Sequence, residues 1–228
     1  MKKRNTKQVI LPLITSFIWG SSFVAQSLGA GKVGGFTFTA SRSIPAVLVL
    51  GALVLILRRV RHEEKYTPQQ KKDLLEGGLV CGIFLTLGTN LQQFGIADTT
   101  AGKAGFITAL YVVLVPVASL LLGKKSRATT WIGVALAAAG LYLLCVSGSL
   151  SMNRGDLLTM LCAVCFCAHI LVIDRVSPHV DGVKLSCVQF FVSGTIALIC
   201  GVCTEKIEWQ ALVDCCLLYT FSEPTRPY

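Results

Sequence analysis

From Leu75 to Leu122 the chain reads LEGGLVCGIFLTLGTNLQQFGIA-DTT-AGKAGFITALYVVLVPVASLLL, which is two long apolar stretches joined by three polar residues. An α-helix rises about 1.5 Å per residue, so roughly 20 apolar residues cross the hydrocarbon core of a bilayer. Each of the two stretches, Leu75–Ala97 and Ala101–Leu122, is long enough to do so. We therefore predict two membrane-spanning helices with a very short connection between them.

Five further stretches of the same kind flank this pair, which gives seven predicted spans. They are Val9–Leu28, Phe36–Leu57, Trp131–Ser147, Leu157–Ile173 and Leu185–Cys203. A soluble domain would not carry seven such runs. The predicted fold is an all-α membrane protein, a polytopic helical bundle of seven spans with a fragment of an eighth at Ala211–Phe221.

The net charge of +9 is distributed between the spans and predicts their orientation. Fifteen lysines and arginines lie before the first span or in the loops after the second, fourth and sixth, whereas four lie in the other loops. Cytoplasmic loops of membrane proteins carry this excess of positive charge, so we expect a cytoplasmic N-terminus and contact with anionic lipid headgroups. The distribution leaves little reason to expect a nucleic-acid partner.

The ten cysteines favour helix packing over chemistry, because seven of them lie inside the spans and Cys203 ends one. Cysteine is small and weakly polar, and it packs well between helices. A metal or thiol site is the alternative, since Cys162, Cys165 and His169 share a helix face. Cys167 points away from that face, and zinc usually takes four converging ligands. We predict no metal and no cofactor.

The spans divide into a block of five, residues 1–147, and a second block, residues 148–228. A displacement of 147 residues superposes the first span on the sixth and the second on the seventh. It also brings Trp19 onto Phe166 and Arg42 onto Gln189. This shared register predicts a duplicated five-helix unit. Because five is odd, the second copy begins on the opposite side of the membrane, as in the inverted repeats of many secondary transporters.

The end of the chain does not fit a complete duplication. Two copies of 147 residues would exceed the 228 that are present. The apolar run Ala211–Phe221 is followed by a polar tail, residues 222–228, which proline interrupts twice. We therefore expect an incomplete second repeat. The tail also raises the alternative that the chain is the truncated product of a frameshifted gene.

Arg42 is the most costly residue within a predicted span, since a guanidinium in hydrocarbon is unfavourable by several kcal/mol. It lies six residues into the second span, which is about 9 Å from the outer boundary. The side chain either extends outward to the interface or faces a hydrated central cavity, where it would bind an anionic group of a substrate. Pro45 follows and can open the helix locally, which favours the second interpretation.

Trp19 and Ser22 lie near the middle of the first span, within Trp19-Gly20-Ser21-Ser22. The small residues of this segment would also let another helix approach closely, which is the alternative to a binding role. An indole at this depth is away from the interface where Trp is usually found, and its N–H needs a partner. We include Trp19 and Ser22 among the candidate substrate-binding residues.

Polar residues at a similar depth occur in the third and fourth spans. Thr86, Asn90 and Gln93 share one helix face, and Thr108 and Tyr111 lie three residues apart. Such groups either hydrogen-bond between helices or line a cavity. We take Asn90, Gln93 and Tyr111 as candidate substrate-binding residues.

The second block contributes the last two candidates, His169 and Gln189. His169 is either a packed imidazole or a proton relay, and Gln189 takes the position of Arg42 under the displacement of 147 residues. No Asp or Glu lies deep in a span, so the sequence shows no carboxylate relay for protons. It also lacks a P-loop, an HExxH motif, a nucleophile elbow and a dinucleotide fingerprint, and we expect no enzyme activity.

Five short motifs occur in order over about 140 residues. They are Ile18-Trp19-Gly20-Ser21-Ser22-Phe23, Ala40-Ser41-Arg42, Phe94–Ala104 running into Leu114-Val115-Pro116, Trp131-Ile132-Gly133 and Ala139-Gly140-Leu141. Together they resemble the EamA family of the drug/metabolite transporter superfamily. Members often carry a Glu shortly after the fourth helix, where this chain has Lys124 and Lys125.

The resemblance implies ten helices in two inverted five-helix repeats around a central substrate cavity, in a bacterial-type inner membrane. Our leading hypothesis is a secondary transporter that moves small metabolites or drugs across the cytoplasmic membrane by alternating access. We expect a small-molecule substrate, anionic or zwitterionic, and a lipid environment. The alternatives are a truncated, non-transporting membrane protein and, from the cysteines alone, a membrane thiol or metal protein.

Overall fold

The computed structural model describes residues 7–61, 66–124, 128–147, 152–207 and 210. Eight helical segments form in that part of the chain: α1 (Lys7–Gly29), α2 (Gly35–Arg61), α3 (Pro68–Ala97), α4 (Ala101–Ala109), α5 (Tyr111–Leu121), α6 (Ala128–Ser147), α7 (Arg154–Val176) and α8 (Gly182–Thr204). The described residues contain no β-strand, and the predicted all-α class is confirmed for them.

Within the described residues, five helical segments have the length and the apolar composition needed to cross a membrane. They are α2, α3, the combined segment Ala101–Leu121, α7 and α8. In α6 the apolar run Ala128–Gly140 is shorter. The class of polytopic helical membrane protein is therefore confirmed, whereas seven as the number of spans stays a prediction. Ala211–Phe221 and the tail after it lie outside the described residues.

The fourth predicted span is not one regular helix. The chain tightens at Leu110, whose backbone N–H donates to the carbonyl of Ile107 at 3.1 Å, only three residues back. A regular α-helix bonds four residues back, so the tighter bond turns the following residues around the helix axis. The predicted span Ala101–Leu122 agrees with the apolar segment Ala101–Leu121, which consists of two helices. α4 and α5 meet end to end at this point, and Tyr111 is the first residue of α5.

α3 lies at the centre of the bundle, where it packs against α7 and α8, and α8 also packs against α2. Two glycines permit the close approach of α3 to α8. A methyl group at Gly82 would lie 2.6 Å from Cβ of Val192, and one at Gly78 would overlap the side chain of Val188. Small residues at such contacts are typical of helices that associate inside a membrane, where close packing replaces the hydrophobic effect.

The outward-facing side chains of the bundle are largely apolar. Phe17 is 79% exposed, Leu121 84% and Leu136 70%. In water such a surface would be unfavourable, since large contiguous apolar patches are rare on soluble monomers. In a bilayer it faces lipid tails, and the helices keep their backbone hydrogen bonds internal as the hydrocarbon requires.

A carboxylate joins the end of α8 to the start of α2. Glu205 accepts hydrogen bonds from the backbone N–H groups of Phe36 and Thr37 at 3.0 and 2.8 Å, and from the Thr37 hydroxyl at 2.7 Å. The first N–H groups of a helix have no partner within it and favour a negative charge nearby. Glu205 therefore caps α2 from a distant part of the sequence.

A second carboxylate, Asp156, lies at the same end of the bundle, which we call the Lys103 end. Asp156 and Asn153 form a capping box at the start of α7, each side chain accepting from the other's backbone N–H. The Asp156 carboxylate also accepts from the Thr99 hydroxyl at 2.8 Å and from the Lys103 ammonium at 2.6 Å. These contacts fix the α3–α4 connection to the start of α7.

The helix bounds follow the displacement of 147 residues noted in the sequence. It carries Lys7 onto Arg154 and Gly29 onto Val176, so that α1 and α7 coincide at both ends. It also carries Gly35 onto Gly182, the first residues of α2 and α8. The matching bounds agree with a duplication, and the division into repeats at residues 1–147 and 148–228 stays a prediction.

Candidate functional site

Four ring side chains meet between α1, α5 and α7, and we call Trp19, Tyr111, Phe166 and His169 the aromatic cluster. The Trp19 centroid lies 5.9 Å from that of Tyr111 and 6.3 Å from that of Phe166. Phe166 lies 6.4 Å from Tyr111 and 6.5 Å from His169. Tilted and edge-to-face pairs at these distances attract one another. The structure thus brings three predicted site residues, Trp19, Tyr111 and His169, around Phe166.

His169 and Gln189 form a buried hydrogen bond between α7 and α8. Their Nε2 and Oε1 atoms lie 2.8 Å apart. With the amide oxygen facing the ring, Nε2 is the donor, because a carbonyl oxygen only accepts. Two further predicted residues are therefore in contact, and Gln189 is placed next to the aromatic cluster.

One face of α1 carries Trp19, Ser22 and Gln26. The Ser22 hydroxyl donates to the Trp19 carbonyl at 2.6 Å and accepts from Nε2 of Gln26 at 3.4 Å. The backbone carbonyl of Gln26 accepts from Nε2 of Gln93 on α3 at 3.3 Å. Predicted site residues on α1 and α3 are joined in this way through Gln26. Sequence reasoning missed Gln26, although it follows Ser22 by four residues and shares its helix face.

Asn90 and Gln93 both face the interior of the bundle and are 4% and 2% exposed. Nδ2 of Asn90 donates to the carbonyl of Thr86 at 2.8 Å, one turn earlier on the same helix. α3 therefore presents two buried carboxamides at neighbouring turns. Their common face was predicted from the spacing, and the structure shows that this face is buried.

Gln92 is a further buried amide that sequence reasoning missed. Its Nε2 lies 3.3 Å from the Thr108 hydroxyl on α4 and 3.9 Å from the sulfur of Cys162 on α7. Gln92 thus joins three helices. Among the residues that the structure describes, no three His, Cys, Asp or Glu side chains lie close enough together to hold a metal ion. The sulfur of Cys162 instead packs in the core with Leu85 and Phe166.

Arg42 lies on α2, where its guanidinium carbon is 5.6 Å from the ring centroid of Phe38, one turn earlier. This is the distance of a cation–π contact. The helix is continuous through Pro45, so the expected local opening is not observed. The contact with Phe38 lies within α2, and the participation of Arg42 in a common site with the aromatic cluster stays a prediction.

The Asp156–Lys103 pair was also missed by sequence reasoning. The structure buries Asp156 to 2% exposure and leaves the Lys103 side chain 28% exposed. The available signal was the spacing of Asn153 and Asp156, which predicts a capping box at the start of a helix. The pair joins α4 to α7 at the Lys103 end of the bundle.

These residues can bind a small molecule without covalent chemistry. The rings of the aromatic cluster offer stacking surfaces, and the amides of Gln26, Asn90 and Gln93 offer hydrogen bonds. Polar groups inside the hydrocarbon region are costly and mark substrate pathways in many membrane proteins. The burial of these three amides inside the bundle favours a binding site over a lipid contact.

Two relatives share most of the length of this chain. An "uncharacterized transporter" of Archaeoglobus fulgidus is 32% identical over 211 residues, which is 91% of this chain and 62% of the relative. The "uncharacterized inner membrane transporter YedA" of Escherichia coli K12 is 24% identical over 196 residues, 83% of this chain and 60% of the relative. This chain thus spans about three fifths of the length of these relatives. Their names do not favour the non-transporting alternative.

No solved structure matches the chain significantly. The sequence model of the EamA-like transporter family matches residues 6–146, which are α1 to α6 and the connections between them. The match covers more than half of the 228 residues and includes the five motifs that carry the resemblance. This membrane-spanning helical chain belongs to the EamA-like transporter family.

Proposed function

We propose that the chain is a secondary transporter that moves a small metabolite or drug across the cytoplasmic membrane by alternating access. The observation that carries this proposal is a set of polar and aromatic side chains that meet between helices of the bundle. Trp19, Tyr111 and Gln93 come from the first predicted block, and His169 and Gln189 come from the second. A site shared between two blocks opens to alternate sides when the blocks move relative to each other.

The matched helix bounds support two related blocks. An inverted repeat contributes equivalent helices from opposite sides of the membrane, and its substrate site lies where the copies meet. α1 and α7 are equivalent under the displacement of 147 residues, and both contribute rings to the aromatic cluster. The cluster therefore lies where the proposed mechanism requires the substrate to bind.

Arg42 is the residue we assign to an anionic group of the substrate. It lies two turns into α2. Its planar guanidinium suits charge-assisted hydrogen bonds to a carboxylate or phosphate of the substrate. The expected substrate is therefore an anionic or zwitterionic small molecule, bound by Arg42 together with Trp19, Ser22, Asn90, Gln93, Tyr111, His169 and Gln189.

We further propose that the N-terminus is cytoplasmic, because the positive charge lies on that side of the predicted spans. The Lys103 end then faces outward, since α1 runs toward it. Under this orientation the Glu205 and Asp156 contacts lie on the outer side of the bundle.

The test is a solute panel assayed with the chain expressed in cells. Uptake or efflux of labelled anionic, zwitterionic and cationic metabolites is compared with that of cells carrying a Trp19→Ala, Gln93→Leu double variant at equal membrane abundance. Saturable transport of an anionic or zwitterionic solute that the variant abolishes is the expected result. Equal fluxes for the two chains across the whole panel would contradict the proposal.

A further inference from the structure

Three buried carboxamide oxygens have no hydrogen-bond partner within the described residues, and we call them the acceptor cluster. They are Oε1 of Gln26, Oδ1 of Asn90 and Oε1 of Gln93. These residues are only 3%, 4% and 2% exposed, respectively. Unmatched buried polar groups are rare and destabilising, so a set of three requires an explanation.

The orientation of the three amides follows from their other contacts. Nδ2 of Asn90 faces the Thr86 carbonyl, and Nε2 of Gln93 faces the Gln26 carbonyl. Nε2 of Gln26 faces the Ser22 hydroxyl, whose own proton is donated to the Trp19 carbonyl. An oxygen in place of any of these nitrogens would meet another acceptor. The atoms of the three amides that lack a partner are therefore carbonyl oxygens and not N–H groups.

The three oxygens belong to residues that lie near one another in the bundle. Gln93 touches Gln26 directly, and Asn90 lies one turn from Gln93 on α3. The acceptor cluster thus lies where α1 meets α3.

The chemistry of this region is the opposite of that of Arg42. Neutral carbonyl oxygens accept hydrogen bonds and have no proton to donate, so they repel a carboxylate or phosphate. A group that satisfies several of them must carry several donors on one atom. A primary ammonium group does so, since it has three N–H bonds and no acceptor, like the lysine side chain. Trp19, on the same face of α1 as Gln26, adds a ring that attracts a cation.

We propose that the acceptor cluster binds the protonated primary amino group of a substrate. This inference rests on the proposed transport function and deepens it, because it assigns the amine end of the substrate to Gln26, Asn90 and Gln93. Recognition depends on the number of N–H donors more than on charge. A tertiary or quaternary ammonium group carries the same charge but leaves the carbonyl oxygens unsatisfied.

The experiment compares ammonium ions of equal charge on the purified 228-residue chain in lipid nanodiscs. Binding of phenethylammonium and of its N-methyl and N,N-dimethyl derivatives, with three, two and one N–H bonds, is measured by calorimetry and thermal unfolding. Since a hydrogen bond to a charged group is worth about 1.5–3 kcal/mol, affinity is expected to fall about tenfold or more with each lost N–H. Equal or rising affinity along the series overturns the proposal, as does stabilisation by Na⁺ with no response to any primary amine.

Substitutions then locate the site. Gln26→Leu and Gln93→Leu remove one acceptor each and are expected to weaken phenethylammonium binding about tenfold. Gln69→Leu is the matched control, because Gln69 is on the same helix as Gln93 but is exposed at its start. Unchanged binding in both interior variants overturns the assignment. The comparison of the three amines needs no variant, so it decides the question even if a variant misfolds.

The binding assay separates this inference from the proposed function. Primary amine binding that follows the donor series, without transport of any solute, contradicts only the transport proposal. Transport of amine-free solutes by a chain that binds no primary amine contradicts only the inference.

Discussion

Trp19 and Phe166 are separated by 147 residues in the sequence, and their rings meet with centroids 6.3 Å apart. The same displacement superposes the bounds of α1 and α7. Residues related by a two-fold axis touch each other only when they lie close to that axis. If the helices form the inverted repeat that we propose, the axis passes beside the aromatic cluster, and the site belongs equally to both copies.

Arg42→Ala is expected to lower the apparent affinity for an anionic or zwitterionic substrate at least tenfold. The reason is the loss of a charge-assisted contact, typically worth about 1.5–3 kcal/mol. The measurement is the concentration dependence of transport at equal membrane abundance. Arg58→Ala, at the other end of the same helix, is the control and is expected to transport normally. Normal transport by Arg42→Ala would show that the Arg42 side chain extends to the membrane interface and does not bind the substrate.

Two ion pairs in the described part of the chain, Lys103–Asp156 and Lys124–Asp174, differ in burial. Breaking the more buried pair is expected to cost more folding free energy than breaking the exposed one. Lys103→Met leaves the Asp156 carboxylate buried without its cation, which costs about 3 kcal/mol in folding free energy. Lys124→Met breaks the exposed pair with Asp174, in which both side chains are more than half exposed, and costs less than about 1 kcal/mol. Unfolding of both variants in mixed micelles checks the difference. Equal losses would mean that the Lys103 end is hydrated in the folded protein.

The His169–Gln189 contact is expected to show measurable energetic coupling. Gln189→Leu leaves a buried N–H of His169 without an acceptor, and His169→Leu leaves the amide oxygen without a donor. The double variant removes both groups, so it is expected to be about 0.6–1.7 kcal/mol more stable than additivity predicts. A double-mutant cycle of unfolding free energies provides the measurement. Strict additivity would argue that the two side chains do not interact in the membrane.

Cysteine labelling tests the proposed orientation, and the structure improves the choice of positions. A side chain at Gly34 would overlap the Glu205 carboxylate, so Lys32→Cys, which is exposed, is the better reporter for the loop between α1 and α2. Gln69→Cys reports on the opposite end. A membrane-impermeant maleimide added to intact cells should label Lys32→Cys and miss Gln69→Cys, above the background of the parent chain. The reverse pattern contradicts a cytoplasmic N-terminus, and permeabilised cells, which label both, serve as the control.

The sequence was sufficient to predict the helical class because each helix carries its own signal. The apolar run from Leu75 to Ala97 and the polar residues after it define most of α3 without reference to the rest of the chain. The common face of Asn90 and Gln93 follows from helical spacing alone.

The parts that could not be predicted depend on contacts between helices. The three-residue turn at Leu110 has no proline or glycine beside it in the sequence, and the next residue, Tyr111, contacts Trp19. The ion pair of Lys103 depends on Asp156, which lies 53 residues later on α7. Gln26 was overlooked because a single glutamine near a helix end is common, and its position matters only once Gln93 meets it.

The cap that Glu205 forms on α2 has a consequence for how the protein is made. The ribosome completes α2 long before it reaches Glu205, 168 residues after Thr37. Until α8 enters the bilayer, the first N–H groups of α2 must be hydrated at the membrane surface. Insertion of α2 and its final docking are therefore separate events in biogenesis. A nascent chain arrested before α8 therefore holds α2 in the membrane without the Glu205 cap on the first N–H groups of α2.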